Sequence, residues 1–157
     1  MTGRPHTATA LATAEQVAMR LGYLAIVQGI VARLATSAST MKAASPAVMA
    51  ALLVFSVSQN VRFHWALFGV AGAVFFIFHG YFLQQERAFR ALYNDAADRA
   101  LADVVSMKID ARRLAEVREP LRTVLCRPTV WGFHLALIAG FTVTSLFAQG
   151  TLPCCWM

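Results

Sequence analysis

Two long apolar runs dominate the pattern of hydrophobic and polar positions along the chain. Residues 64–83 read HWALFGVAGAVFFIFHGYFL and residues 130–148 read VWGFHLALIAGFTVTSLFA, and neither run contains Asp, Glu, Lys or Arg. A helix needs about 20 apolar residues to cross the hydrocarbon core of a bilayer. The two runs therefore predict two transmembrane helices.

A shorter apolar run, AASPAVMAALLVFSV over residues 43–57, predicts a further span that precedes the other two. Ser45 and Pro46 lie near its beginning. Serine is a preferred N-cap residue and proline is favoured at the first helical position. This pair therefore predicts that the first span starts here.

The apolar segment over residues 21–32, LGYLAIVQGIVA, is flanked by Arg20 and Arg33. It is too short to cross a bilayer comfortably. We expect an N-terminal amphipathic helix that lies on the membrane surface or packs within a helical bundle. Cleavage as a signal peptide is the less favoured alternative, because Glu15 and Arg33 do not suit such a leader.

The helical pattern continues beyond the second span into the polar sequence QQERAFRALYNDAADR, with no glycine or proline to end it. Glu86 and Arg90 lie four residues apart, as do Asp95 and Arg99, which suits ion pairs on one helix face. We expect the helix to extend three or four turns past the span. A short extended piece over 102–110 and a helix over 111–126, broken near Pro120, should follow.

Composition supports a membrane location. The chain is 58% hydrophobic and 14% charged, with a formal net charge of +6, whereas soluble domains carry about 25% charged residues. The positive charge alone would suit nucleic acid, but the sequence contains no zinc-finger spacing and no RNP-like aromatic strand. We therefore expect no nucleic-acid binding, and a bilayer as one partner.

The basic residues predict the orientation of the three spans. All 14 Lys and Arg residues except Arg62 lie before the first span or between the second and third spans. Basic residues are enriched in cytoplasmic segments. We expect the N-terminus and residues 84–129 in the cytoplasm of a bacterial inner membrane, and the C-terminus outside.

Polar side chains inside the spans are candidates for function. His79 and His134 each lie about five residues from the predicted cytoplasmic end of a span, so the two imidazoles lie at matching depth. Intramembrane ionisable groups usually face the interior of a bundle. Together with Thr142 and Ser145, these histidines are predicted either to line a pathway or, as the favoured alternative, to form neutral packing contacts.

Two other groups of residues suggest contacts between subunits. Gly69, Gly72 and Ala73 give the second span a small-residue face of the kind that lets membrane helices approach closely. Cys154 and Cys155 lie in the exported tail, where they would pair with each other or between subunits. We expect a homo-oligomer, because three short spans bury little surface alone.

The sequence contains no arrangement of residues that is typical of a catalytic site. It contains no nucleophile–base pair, no pair of carboxylates within a span, no glycine-rich phosphate loop and no HExxH helix. The three cysteines form no metal-binding spacing. We expect no enzymatic activity, no cofactor and no bound metal.

Three stretches resemble a widespread group of small three-span bacterial membrane proteins. They are LAIVQGIVARLATSASTMKAAS, FHGYFLQQERAFRALYNDAADRA and VVSMKIDARR, and the most specific element is the QER triplet followed by FRALY. The layout is also similar to SLATT-type effectors of bacterial conflict systems. That resemblance implies oligomers that permeabilise the inner membrane when a cytosolic sensor protein or a nucleotide second messenger signals infection.

These observations lead us to expect an all-α integral membrane protein divided into five segments. The segments are a cytoplasmic N-terminal segment (1–42), two spans joined by a tight outer loop (43–83), a cytoplasmic insert (84–129), a third span (130–148) and an outer tail (149–157). We expect an oligomeric effector that forms or gates a pore, or alternatively a non-conducting anchor for a cytoplasmic partner. We expect Glu86, Arg87, Arg90 and Tyr93 to couple changes in the cytoplasmic helices to the spans.

Overall fold

The computed structural model of the chain describes residues 5–58, 65–100 and 109–148. These residues form helices and short connections. The helices are α1 (Pro5–Ser58), α2 (Trp65–Asp98), α3 (Ala111–Val117), α4 (Leu121–Leu125) and α5 (Pro128–Ala148).

Three of the helices are long and apolar enough to cross a membrane. The qualifying stretches are Thr13–Phe55 in α1, Leu67–Asp98 in α2 and Pro128–Phe147 in α5. Only a minor share of each apolar stretch is buried within the single chain, between 17% and 28%, as expected for surfaces that face lipid or another subunit. The all-α class and the three candidate spans are confirmed.

The predicted helix start at Ser45 and Pro46 is wrong, because Pro46 lies inside the 54-residue helix α1. A proline within a helix cannot donate to the carbonyl four residues earlier, which here belongs to Lys42. The buried hydroxyl of Ser45 donates to that carbonyl oxygen instead, at 3.0 Å. The serine therefore supplies the hydrogen bond that the proline removes, and the helix continues. As a result, the segment over residues 21–32 is also part of α1.

The predicted extension of the second span is confirmed, since α2 runs unbroken from Trp65 to Asp98. The helix predicted over residues 111–126 is divided into α3 and α4 at Arg118 to Pro120. The side chain of Asp110 caps α3 by accepting from the backbone N–H of Arg112 at 2.9 Å. Most of the extended piece predicted over 102–110 lies outside the described residues.

The chain forms two compact units. The first, here called the polar unit, consists of Met1–Ala35 and Gln84–Glu119. Its core contains Tyr23 and Val27 from α1 and Ala96 from α2, each at most 3% exposed. The apolar residues packed around this core are Leu24, Phe89, Tyr93 and Ile109.

The second, here called the apolar unit, consists of Thr36–Leu83 and Pro120–Met157. Its largest buried side chains include Met49 of α1, Val124 of α4 and Val130 of α5. Helix α4 packs closely over Gly80 of α2, where a β-carbon would contact the side chain of Leu125. Gly80 therefore allows α4 to lie against the second span.

The acidic residues are divided sharply between the two units, whereas basic residues occur in both. All eight acidic residues of the sequence fall within the ranges of the polar unit, and none falls within those of the apolar unit. Hydrocarbon cannot solvate carboxylates, so a unit made of spans is expected to exclude them. The predicted cytoplasmic insert over residues 84–129 is itself divided, because residues 84–119 fall in the polar unit and residues 120–129 in the apolar unit.

The close packing at Gly80 generates a stability prediction. The substitution Gly80→Val should displace Leu125 and lower the free energy of unfolding by ~1–3 kcal/mol, the usual range for overpacking. The matched control is Gly140→Val in α5, because a β-carbon at Gly140 would have no neighbour within 4 Å. Thermal unfolding in detergent measures both variants, and an equal effect of the two would contradict the packing described here.

Candidate functional site

The two predicted intramembrane histidines meet in the interior of the apolar unit. Nδ1 of His79 on α2 lies 3.3 Å from Nε2 of His134 on α5, within hydrogen-bonding distance. His79 is 6% exposed and His134 is 3% exposed. The structure therefore brings together the two imidazoles that the sequence placed at matching depth.

Aromatic rings enclose the histidine pair. Phe76 and Phe133 both meet the ring of His134 edge to face, with centroid distances of 5.4 and 5.1 Å. The ammonium group of Lys42 lies over Phe133, 4.8 Å from the ring centroid. Nδ1 of His134 is buried without a hydrogen-bond partner.

The other polar residues predicted for the spans lie elsewhere on α5. Thr142 and Ser145 follow His134 by eight and eleven positions, which places them about 12 and 16 Å further along the helix. Ser145 is 1% exposed and Thr142 is half-buried. Within one chain, the buried His79, His134 and Ser145 face the interior of the unit.

The small-residue face of α2 lines a cavity within the apolar unit. Gly72 packs against Ile138, which would lie 3.7 Å from a β-carbon at that position, whereas Gly69 and Ala73 are exposed. The cavity has a volume of about 230 Å³. Its lining residues are Gly69, Gly72, Ala73, Phe76, Trp131, His134, Leu135 and Ile138.

A second small-residue surface, here called the α1 seam, was missed by the sequence reasoning. It consists of exposed small residues of the apolar unit spaced three or four positions apart: Thr36, Ser39, Ala43, Ala47 and Ala50. This spacing places them along one side of the helix. The repeat of small residues is visible in the sequence, but the supposed helix start at Pro46 obscured it.

The exit of α2 is held in the polar unit by hydrogen bonds to the segment around α3. The side-chain amide of Gln84 donates to the carbonyl oxygen of Glu119 at 2.6 Å. The guanidinium of Arg118 donates to Oε1 of Gln85 at 2.9 Å. Gln84 and Gln85 are both buried, so these bonds satisfy polar groups that water does not reach.

Ion pairs hold the later part of the same helix. Asp95 accepts from Arg99 at 2.6 Å and from Arg113 at 2.9 Å. Arg20 of α1 donates to the carbonyl oxygen of Ala97. Because α3 has no buried residue, its attachment depends mainly on such polar contacts.

The residues predicted for cytoplasmic coupling have different environments. Glu86 is 8% exposed and forms an ion pair with Arg90 at 2.6 Å, as the four-residue spacing indicated. Tyr93 packs against the core of the polar unit. Nε of Arg87 is buried without a hydrogen-bond partner.

The remaining sequence candidates form no site in the part of the chain that the structure describes. Cys154 and Cys155 lie outside the described residues. Among the residues that are described, no group of three or more His, Cys, Asp or Glu side chains is placed to hold a metal ion.

The histidine pair generates a prediction about stability. We expect His79→Phe and His134→Phe each to destabilise the protein, because each leaves a buried ring nitrogen of the other histidine unpaired. The double variant should be less destabilised than the sum of the two, with a coupling energy of ~0.6–1.7 kcal/mol. Unfolding in mixed micelles measures this cycle, and strict additivity would contradict the hydrogen bond.

The ion pairs of Asp95 generate a prediction about the attachment of α3. Asp95→Asn weakens the contacts to Arg99 and Arg113 and should speed tryptic cleavage after Arg113 severalfold, because exposed pairs each contribute up to ~1 kcal/mol. Added salt should reduce the difference from the parent protein. The control is Asp98→Asn, which changes an exposed aspartate of the same helix; equal cleavage of both variants would contradict the role given to Asp95.

Comparison with known proteins gives no relative on which an assignment can rest. No protein-family model, no curated protein and no solved structure matches the chain. What the fold supports directly is a small membrane protein with three helices able to span the bilayer.

Proposed function

We propose that the chain is an oligomeric effector of the bacterial inner membrane that forms or gates a conducting path. In this proposal the apolar unit lies in the bilayer and the polar unit lies in the cytoplasm, where it receives the signal. The distribution of basic residues supports this orientation, since Arg62 alone falls between the first two spans. The similarity in layout to SLATT-type effectors supports a role in antiphage defence.

The observation that carries the proposal is the α1 seam. Small side chains let two helix backbones approach closely, and their absence of bulk makes such a surface a poor match for disordered lipid chains. Ala43 and Ala47 are exposed at the centre of the seam. We infer that the seam is the main contact between subunits, in place of the face around Gly69 that the sequence suggested.

The hydroxyl groups at one end of the seam are better candidates than the histidines for the lining of a conducting path. Thr36 and Ser39 of the seam and the neighbouring Thr40 are exposed, whereas His79 and His134 are buried and bonded to each other. The hydroxyl of Thr40 donates to the carbonyl oxygen of Thr36 at 2.9 Å, so it is satisfied while still offering lone pairs outward. In an oligomer built on α1, these hydroxyls would line the cytoplasmic end of a narrow opening.

The alternative is a non-conducting anchor for a soluble partner such as a cytoplasmic sensor protein. The exposed polar surface of α3 favours it, since no residue of that helix is buried and Arg112 and Glu116 are exposed. Both functions use the same orientation and assembly. They differ in whether ions pass.

We expect purified protein in liposomes to release a trapped dye or dissipate a potassium gradient, and the substitution Ala43→Leu to abolish this flux and the oligomer together. A bulky side chain at Ala43 separates the helices that the seam brings into contact. Flux is followed by fluorescence, and assembly is measured by light scattering in detergent.

The matched control is Ala136→Leu, which makes the same change at an exposed position of α5 outside the seam. This variant should assemble and conduct like the parent. Intact oligomers without flux, with or without candidate nucleotide messengers, would contradict conduction and favour the anchor. Assembly unchanged by Ala43→Leu would contradict the seam as the subunit contact.

A further inference from the structure

The cavity of the apolar unit is large enough to hold a small ring. Its volume is about 230 Å³, and a dry protein cavity of about 150 Å³ is enough for benzene. The space exists because Gly69, Gly72 and Ala73 contribute almost no side-chain volume on the α2 side. A β-carbon at Gly69 would have no neighbour within 4 Å.

The walls of the cavity suit a planar ligand. Phe76 and Trp131 supply aromatic surfaces, and Leu135 and Ile138 complete an apolar lining. Aromatic side chains contact flat rings favourably, both by stacking and edge to face. Pockets that bind small molecules combine such a lining with very few polar groups, which fix the orientation of the ligand.

The polar group of this cavity is His134. Its Nε2 contacts His79, and its Nδ1 is buried without a partner. A neutral imidazole has one N–H donor and one acceptor nitrogen. Whichever nitrogen of His134 carries the proton, Nδ1 therefore remains a donor or an acceptor without a partner, and hydrocarbon cannot supply one.

A ligand oxygen can satisfy this nitrogen. His134 lines the cavity, which brings its imidazole next to the space that a ligand would fill. A quinone carbonyl accepts from an N–H, and a ring hydroxyl donates to an acceptor nitrogen. An oxygen on a six-membered ring thus suits either tautomer of His134.

The depth of the cavity favours a free ring over a phospholipid. His134 and Ile138 follow the basic residue Arg127 by seven and eleven positions, or about 10 and 16 Å along a helix. Half of the hydrocarbon core is about 15 Å thick. The ester carbonyls of phospholipids remain near the interface, whereas a quinone ring dissolves in the hydrocarbon.

A second copy of the chain is also a poor match for Nδ1 of His134. Lys42 and Phe133 are in contact, which places residues 43–47 of α1 near the level of His134. The polar side chain in that stretch is Ser45, which already donates to the carbonyl of Lys42. A parallel neighbour therefore offers no free hydroxyl of α1 at this level.

We propose that this cavity binds the ring of an apolar quinone or phenol, with a ring oxygen paired to Nδ1 of His134. The ring lies against Phe76 and Trp131, and its hydrocarbon substituent leaves along the open side at Gly69. The inference concerns binding alone and does not depend on conduction.

Quenching of Trp131 fluorescence tests the proposal. The other two tryptophans are removed by Trp65→Phe and Trp156→Phe, and the full chain is placed in nanodiscs. We expect a decyl-substituted benzoquinone to quench Trp131 saturably. Quenching that rises linearly with quinone concentration, without saturation, would overturn the proposal. The same linear result is expected if a lipid chain already fills the cavity.

Variants in the same background identify the site. Gly69→Leu fills the cavity and should weaken binding at least tenfold, and Ala73→Leu provides a second filling variant if the first does not fold. Gly140→Leu is the matched control, because Gly140 has open space but does not line the cavity, and its binding should equal that of the parent. Equal binding by the filled and control variants would overturn the proposal.

The role of His134 is tested with His134→Phe, which keeps an aromatic ring in the wall. Quinone affinity should fall about tenfold, the effect expected for one lost hydrogen bond. Displacement of the quinone by p-xylene, which has no oxygen, measures the affinity for a ring without the hydrogen bond. The affinity for p-xylene should be the same in His134→Phe and in the parent protein. Unchanged quinone affinity in His134→Phe would contradict the pairing with Nδ1.

Discussion

Hydrocarbon offers no hydrogen-bond partner and does not solvate charge, and this constraint explains most of the structure. Every acidic residue falls within the polar unit. Several polar groups that remain among the spans bond locally: Ser45 bonds to the carbonyl of Lys42, Thr144 to that of Gly140, and Nδ1 of His79 to Nε2 of His134, whereas Nδ1 of His134 has no partner. Each of these bonds replaces a partner that water would otherwise supply.

The polar unit is held together by contacts of a different kind. Its apolar core is small, and the segment around α3 is held by glutamine and arginine side chains and by the ion pairs of Asp95. Exposed polar contacts contribute little net free energy each and are weakened by salt or by competing ligands. A region attached in this way is suited to rearrange, whereas the apolar unit is suited to remain packed.

Much of the fold could be predicted from the sequence, because hydrophobic length and helical spacing are local properties. The spans of α2 and α5, the continuation of α2 to Asp98 and the interruption before Pro120 all follow from such patterns. The predicted helix start at Pro46 was wrong because a Ser-Pro pair occurs in two structural contexts. It can begin a helix, or its hydroxyl can replace the hydrogen bond that proline removes, and only the surrounding structure distinguishes them.

The candidate site shows a similar division. Depth along the helices predicted that His79 and His134 lie at one level, and the structure brings them into contact. The sequence could not predict the cavity beside them or the unpaired nitrogen of His134, because both depend on how two distant helices pack. It also did not show whether the small residues of α1 or those of α2 remain exposed.

The central claim is that the α1 seam joins subunits in the membrane, and disulfide cross-linking tests it most directly. In a background where serine replaces Cys126, Cys154 and Cys155, a cysteine is introduced by Ser39→Cys in the seam or by Leu135→Cys on the exposed face of α5. Mild oxidation of intact membranes should yield a covalent dimer of the Ser39→Cys variant and none of the Leu135→Cys variant. A dimer that forms only through the α5 cysteine would contradict the account.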